Sequence, residues 1–195
     1  MNVIERIDEA RARWNVLEHP FYARWERGEL TREALSFYAG EYRHAVVALA
    51  EAAATGGDPE HAAEEAAHVG VWDDFAGALD APLDREPTPE TAACAEAWRS
   101  EDPLAARAVL YAVESSQPEI ARTKLRGLVD HYGFAPGSSG TEYFEVHAER
   151  DEEHAAASAA VLREASPDEE DRLVAVATAA LKGNWRLLDG VANRI

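Results

Sequence analysis

Tyr143-Phe144-Glu145-Val146-His147-Ala148-Glu149-Arg150-Asp151-Glu152-Glu153-His154 is the stretch on which the reading of this chain turns. At about 100° per residue, His147, Asp151 and His154 fall within roughly 60° of one another, on one stripe of a single helix. Two imidazoles flanking a carboxylate make half a site for a borderline divalent ion such as iron or manganese. The same residues also suit a solvated acidic face, so the stretch acquires meaning only from partners on other helices.

Working outward, Glu64-Glu65-Ala66-Ala67-His68 offers a second pair. Glu64 and His68 stand at i and i+4 on one face, and Glu65 and His68 form the Glu-x-x-His spacing used in dinuclear carboxylate bundles. An alanine-rich surface helix carries such pairs without any metal. Glu114 follows the mostly apolar run Val109-Leu110-Tyr111-Ala112-Val113 and shares a face with Leu110 and Tyr111. A carboxylate in that position must be paired, protonated or metal-bound, because burying it bare is costly. An ion pair with Arg107 or Arg122 is the simpler alternative. Together Glu64, His68, Glu114, His147, Asp151 and His154 supply three carboxylates and three imidazoles, a set suited to two divalent ions with positions left for dioxygen.

The rest of the chain reads as helices. Val3, Ile4, Ile7, Ala10, Trp14 and Leu17 recur at helical spacing up to His19-Pro20, and residues 21–25 form a short helical turn. Thr31 caps a long helix that Gly56-Gly57 ends. Asp58-Pro59, Thr88-Pro89 and Asp102-Pro103 each repeat a cap followed by proline at the first helical position, and Ser166-Pro167 opens the last helix. Pro118 is expected to kink or divide the helix it interrupts, and 133–140 to be a loop before the helix of about 141–164. No segment alternates with period two, and no internal repeat is found. The expectation is an all-α bundle of seven or eight helices in one domain, 1–195.

Composition bounds the function. The formal charge of −18 disfavours nucleic acid and anionic membranes as partners. The sequence has no apolar run long enough for a membrane span and its first helix is amphipathic and acidic, so a cytoplasmic protein is expected. Cys94 is the single cysteine, read as a small buried side chain. Only two lysines occur, Lys124 and Lys182, against seventeen arginines, a bias open to both GC-rich coding and high-salt adaptation.

Longer stretches carry a resemblance. Leu17-Glu18-His19-Pro20-Phe21-Tyr22-Ala23-Arg24-Trp25-Glu26-Arg27-Gly28-Glu29-Leu30-Thr31 with Phe37-Tyr38-Ala39-Gly40-Glu41-Tyr42 resembles the haem-oxygenase-like helical superfamily that includes TenA, PqqC and metal-dependent oxidases. Glu114-Ser115-Ser116-Gln117-Pro118-Glu119-Ile120-Ala121-Arg122-Thr123-Lys124-Leu125-Arg126-Gly127-Leu128, then Tyr132-Gly133-Phe134 and the opening stretch, is most similar to its CADD-like branch. The resemblance implies a bundle of about seven helices, a homodimer, and a dinuclear iron or manganese–iron centre that activates dioxygen with an external reductant. It further implies formation of p-aminobenzoate, a folate precursor, from the protein's own tyrosine. Matched residue by residue, that tyrosine falls on Tyr22, a redox tyrosine on Tyr38, and the amino donor on Lys124. As ordinary residues, the tyrosines would be core aromatics and Lys124 a surface charge.

One departure stands out. The branch places its first carboxylate seven residues before the histidine matching His68, a position held here by His61. A helix shortened by about a turn would bring Glu64 into that role, which is the preferred expectation, with His61 as its substitute and Glu60 and Glu65 as weaker ones. Alternatives from other classes are a di-iron oxidase acting on a free fatty acid or amino acid, a TenA- or PqqC-like protein without metal, and a non-catalytic acidic adaptor. Cys94 lacks the surroundings of a TenA-type nucleophile. A free substrate needs a solvent-accessible pocket, whereas self-sacrifice calls for Tyr22 packed beside the metals.

Overall fold

A computed structural model describes the backbone of all 195 residues and every side chain except that of Arg150. Among the described residues there are nine α-helices and no strand. They are α1 (Val3–Arg13), α2 (Pro20–Glu26), α3 (Arg32–Thr55), α4 (Pro59–Ala78), α5 (Pro89–Trp98), α6 (Pro103–Glu114), α7 (Gln117–His131), α8 (Glu142–Leu162) and α9 (Pro167–Ala192), with a 3-10 turn at Val16–Glu18 between the first two. None is long and apolar enough to cross a membrane.

Side-chain caps set most of the starts. Thr31 accepts from Ala34 N, Asp58 from Glu60 N and His61 N, Thr88 from Thr91 N, and Asp102 from Leu104 N and Ala105 N. Each such cap contributes about 1 kcal/mol by satisfying amides that the helix itself leaves open. Ser166 departs from this pattern, since its hydroxyl donates to Glu169 Oε2 (3.1 Å) and caps no amide. The first helix ends earlier than its apolar spacing predicts, at Arg13, because Asn15 accepts from Leu17 N and opens the 3-10 turn. The short turn expected at 21–25 is a capped helix: His19 Nδ1 accepts from Phe21 N at 3.0 Å, while Nε2 faces Asp189 at 3.1 Å.

The expected interruption at Pro118 is a full division. As α6 ends, the Ser115 and Ser116 hydroxyls bond back to Tyr111 O and Val113 O, carbonyls that also accept the Ser115 and Ser116 amides. Two polar faces thereby separate: Glu114 closes α6, and Lys124 lies on α7.

Packing places these faces at two neighbouring centres. α3 lies on α4, α5 and α6, α8 on α6 and α7 with a lighter contact to α4, and α9 on α5 and α6. The short α2 lies on α7, where Gly127 permits close approach. A Cβ added at Gly127 would stand 2.6 Å from Trp25 Cδ1, and Trp25 Nε1 donates to Lys124 O at 3.1 Å. The core between the helices is aromatic, with Phe21, Tyr22, Trp25, Tyr38, Tyr42, Trp72, Phe75, Trp98 and Phe144 all fully buried.

Candidate metal centre

Three helices converge on a buried cluster of ligand-type side chains. α4 brings His61, Glu65 and His68, α6 ends in Glu114, and α8 brings His147, Asp151 and His154. His61, Glu65, Glu114 and His154 each offer one atom within 4.8 Å of the others, and so do Glu65, His68 and His147. Glu65 belongs to both groups, so its carboxylate is positioned to be shared.

The hydrogen-bond pattern tests whether ions fit. His61 Nε2 and Glu114 Oε1 lie 2.9 Å apart, yet neither is oriented to bond the other. Both Glu114 oxygens, both Asp151 oxygens, His147 Nε2 and His154 Nδ1 are likewise buried without a hydrogen-bond partner. Buried polar groups are nearly always paired, and leaving one bare costs about 1–3 kcal/mol, more if it is charged. A concentration of bare imidazole nitrogens and carboxylate oxygens in one place is the arrangement that divalent cations complete. The donor set therefore fits a pair of ions.

The surrounding shell orients these ligands. His147 donates from Nδ1 to Tyr143 O at 2.7 Å, which fixes its tautomer and leaves Nε2 facing inward. Rings of His61 and His154 stack at 4.0 Å, and those of His68 and His147 lie 4.4 Å apart. Burial is the main cause of every large shift in acidity. It raises the Glu114 carboxyl well above the ordinary range, with Glu65 adding to the effect, and lifts Asp151 to about 9, with Glu114 and Glu65 contributing. It lowers His147 to about 4 and depresses His61 and His154. Burial also opposes ionisation of Glu65, but the hydrogen bond from His68 Nδ1 (2.9 Å) together with the nearby His68, His147 and His61 imidazoles outweighs it and holds that carboxyl below its usual value. Without metal, His61, His147 and His154 are thus neutral and Glu114 and Asp151 protonated, while Glu65 is ionised, and metal would replace the two carboxyl protons.

Of the two residues weighed for the first ligand, His61 lies buried on α4 among the clustered side chains. Glu64 sits one residue round the helix, at the rim, with Oε2 3.3 Å from His154 Nε2. Glu65, ranked among the weaker substitutes, is the buried carboxylate at the middle, and its Glu-x-x-His spacing with His68 was the signal for it. The ion pair considered for Glu114 is not formed: Arg107 donates from Nε to Gly56 O, and Arg122 reaches Ala148 O and Glu152.

Tyr22, Tyr38 and Lys124 form a second buried cluster between α2, α3 and α7. The tyrosine hydroxyls are 2.9 Å apart, and Lys124 Nζ donates to Tyr38 OH at 2.7 Å. Nζ also lies 4.7 Å from the Tyr22 ring centroid and 4.7 Å from that of Tyr42. Among the described residues no carboxylate comes within ion-pair distance of it. Burial alone pushes the pKa of the amine well below its ordinary value, because the charged form loses its water. The ring neighbours of Tyr22 are Phe21, Trp25 and Tyr38, and none of the four site imidazoles is among them.

Cys94 is buried, as expected, and burial pushes its thiol up, so it is no activated nucleophile. A cavity of about 600 Å³ between α5 and α9, lined by Glu90, Ala97, Lys182, Arg186 and Asp189 among others, includes none of the residues of either cluster.

An all-α bundle whose facing helices converge carboxylates and imidazoles on one point has the fold and the ligand types of the haem-oxygenase-like class. Residues 13–188 match the family described as "Iron-containing redox enzyme", and the chain belongs to that family. Among its relatives is the 4-aminobenzoate synthase of Chlamydia muridarum (strain MoPn / Nigg), 30% identical over 212 residues that cover 97% of this chain and 89% of that one. The 4-aminobenzoate synthase of Nitrosomonas europaea is 30% identical over 223 residues, covering 96% and 89%. In fold it is similar to a TenA homologue from Pseudomonas syringae pv. tomato, with a TM-score of 0.79 and 19% identity over 98% of this chain and 91% of that one. A TenA homologue from P. horikoshii gives 0.75 and 18%, over 98% of each chain.

Proposed function

We propose that this chain forms p-aminobenzoate from its own Tyr22, with Lys124 as the source of nitrogen and Tyr38 as a redox partner. His61, Glu65, Glu114 and His154 would hold one ion and Glu65, His68 and His147 the other, with Asp151 and the rim carboxylate Glu64 in reserve beside them. Bound there, two iron ions, or one manganese and one iron, supply one-electron oxidation driven by dioxygen and an external reductant.

The protein's own residues do the rest. A buried, uncharged amine is a nucleophile, and the Lys124 nitrogen is held against the face of the ring it would aminate. Tyr38 stands between that amine and the Tyr22 hydroxyl, bonded to both, and so can pass a proton from one to the other. The product keeps the tyrosine ring; its C–O bond gives way to C–N with the oxygen leaving as water, the Lys124 Nζ–Cε and Tyr22 Cα–Cβ bonds break, and Cβ is oxidised to the carboxyl carbon with dioxygen as oxidant and oxygen source. The exclusion of water around Tyr22 keeps a reactive ring from being quenched before it is cut.

The observation that carries this reading is the Tyr22–Tyr38–Lys124 constellation in a chain whose 30% identical relatives are named 4-aminobenzoate synthases. The test is metal loading without air, then oxygen with reductant, followed by intact-mass measurement and peptide mapping. Mass loss at Tyr22 with release of p-aminobenzoate is expected. An unchanged chain, or product from Tyr22→Phe, overturns the assignment.

A further inference from the structure

The helix that carries Tyr22 starts unlike the others. Asn2, Asn15, Thr31, Asp58, Thr88 and Asp102 cap their helices, or the 3-10 turn, through side-chain oxygens, the usual choice at such positions. Among the described residues only α2 is capped by an imidazole. His19 Nδ1 accepts from Phe21 N at 3.0 Å, and Pro20 between them has no amide to satisfy.

A short oxygen cap would serve Phe21 N equally well. What the ring adds is a second nitrogen on its far side. Because Nδ1 accepts, the ring's own proton sits on Nε2, which donates to Asp189 Oδ1 at 3.1 Å near the end of α9. One rigid ring thus ties the first amide of α2 to the last helix of the bundle. The Trp185 indole stands edge-on against that ring, with centroids 4.7 Å apart, and His19 is only 1% exposed. Burial lowers the pKa of the ring against the opposing hydrogen bond and charge of Asp189, which favours the neutral form in which Nδ1 can accept.

We infer that His19, held by Asp189, is the positioning residue that aims Tyr22 at Tyr38 and Lys124. The inference rests on the reading of Tyr22 as the consumed residue and assigns what fixes its place. α2 has seven residues, too few to keep its shape by its own hydrogen bonds. It is pinned near its end by Trp25 Nε1 donating to Lys124 O, and at its start by His19. Tyr22 is the third residue of the helix, so the start governs it. His19 O also accepts from Ala23 N at 3.1 Å, so residue 19 grips the first turn through side chain and main chain together. The Tyr22 hydroxyl stays 2.9 Å from Tyr38 OH, and its ring 4.7 Å from Lys124 Nζ, only while that turn is seated. A misplacement of about 1 Å is enough to cost a reaction about a hundredfold. Asp189 acts from the surface, with its side chain half exposed, and so can be altered without opening the core.

The experiment reads the place of Tyr22 and its fate separately, in full-length protein. With fluorotyrosine at the six tyrosines, fluorine NMR before metal loading gives a signal for Tyr22, assigned by its disappearance in Tyr22→Phe. After loading, oxygen with reductant gives the rate of mass loss at Tyr22 and the dioxygen consumed for each Tyr22 lost. His19→Ala and Asp189→Ala should shift or broaden the Tyr22 signal, slow its loss about tenfold or more, and raise the dioxygen consumed per Tyr22, with metal content unaltered. Asp189→Asn still accepts from Nε2 and should restore all three. Asn2→Ala removes an ordinary cap, that of α1, and should change none of them, which separates positioning from the loss of a cap as such. Asp189→Ala carries the test should His19→Ala not fold. An unmoved Tyr22 signal in the alanine variants, or an undiminished and equally coupled loss of Tyr22, overturns the inference. A wild-type chain that keeps Tyr22 under oxygen removes the self-sacrifice reading instead. The fluorine signal then decides alone: moved, it keeps His19 as the residue that places the ring, and unmoved, it overturns that role too.

Discussion

The two buried polar clusters of this bundle solve opposite problems. Around Glu65 the side chains present bare nitrogens and oxygens to a common point, whereas around Tyr38 the hydroxyls and amine already bond one another. The first is incomplete without something from outside, and the second is self-contained. An under-satisfied cluster recruits a cofactor, while a satisfied one can store reactive groups in a fixed arrangement. A fourth buried carboxylate, Glu41, shows that burial by itself does not mark a site. Its Oε2 accepts from Thr88 N, Thr88 Oγ and Thr91 Oγ, and it anchors the start of α5.

The contrast is broken most severely at Glu65. Because both donor groups use it, Glu65→Ala should reduce bound metal from about two ions to about none, and His61→Ala to about one, by elemental analysis of loaded protein. The tyrosine–lysine cluster should survive both changes. Equal losses in the two variants would mean that Glu65 is not shared.

Next in size is Lys124→Met, which removes the amine but retains its stem. Metal content should stay at the wild-type level while p-aminobenzoate formation and mass loss at Tyr22 disappear, checked by the same mass measurement.

Opposite pH slopes give a sharper distinction. Folded, metal-free protein keeps a proton on Asp151 up to about 9, whereas the unfolded chain releases it near 3.8, so the folded state binds more protons and stability falls as pH rises between these values. For Lys124 the folded pKa lies well below the unfolded 10.5, so the unfolded chain binds more protons and stability rises with pH towards that value. Between pH 7 and 9, above the histidine range, denaturant unfolding of metal-free Lys124→Met should therefore show a fall. Metal-loaded wild type, with Asp151 and Glu114 already ionised, should show a rise.

Smallest is Gly127→Ala. The added methyl would press on Trp25 and should cost about 1–3 kcal/mol, read by the same denaturation. It should slow chemistry at Tyr22 without altering metal content, since α2 carries no ligand.

Much of this was legible in the sequence because helix periodicity and cap-proline pairs are local signals. Asp58-Pro59, Thr88-Pro89 and Asp102-Pro103 each open a helix where expected. The ligand types on α8 were likewise readable from a 3.6-residue period. The choice among His61, Glu64 and Glu65 was not, because one residue along a helix is about 100° around it, and only the packing of α4 against α6 and α8 decides which of three neighbours turns inward. The first helix ended early because Asn15 supplies a turn that apolar spacing does not register.

Under the proposed reading, the tight setting of Tyr22 among Phe21, Trp25 and Tyr38 bears on the lifetime of each molecule. A chain that had surrendered this ring would be left with a hole in its interior worth about 3–5 kcal/mol, a large share of the roughly 5–15 kcal/mol that separates folded from unfolded domains. The used molecule would then loosen on completing its task, and ordinary proteolysis could recognise it as waste while intact copies persist.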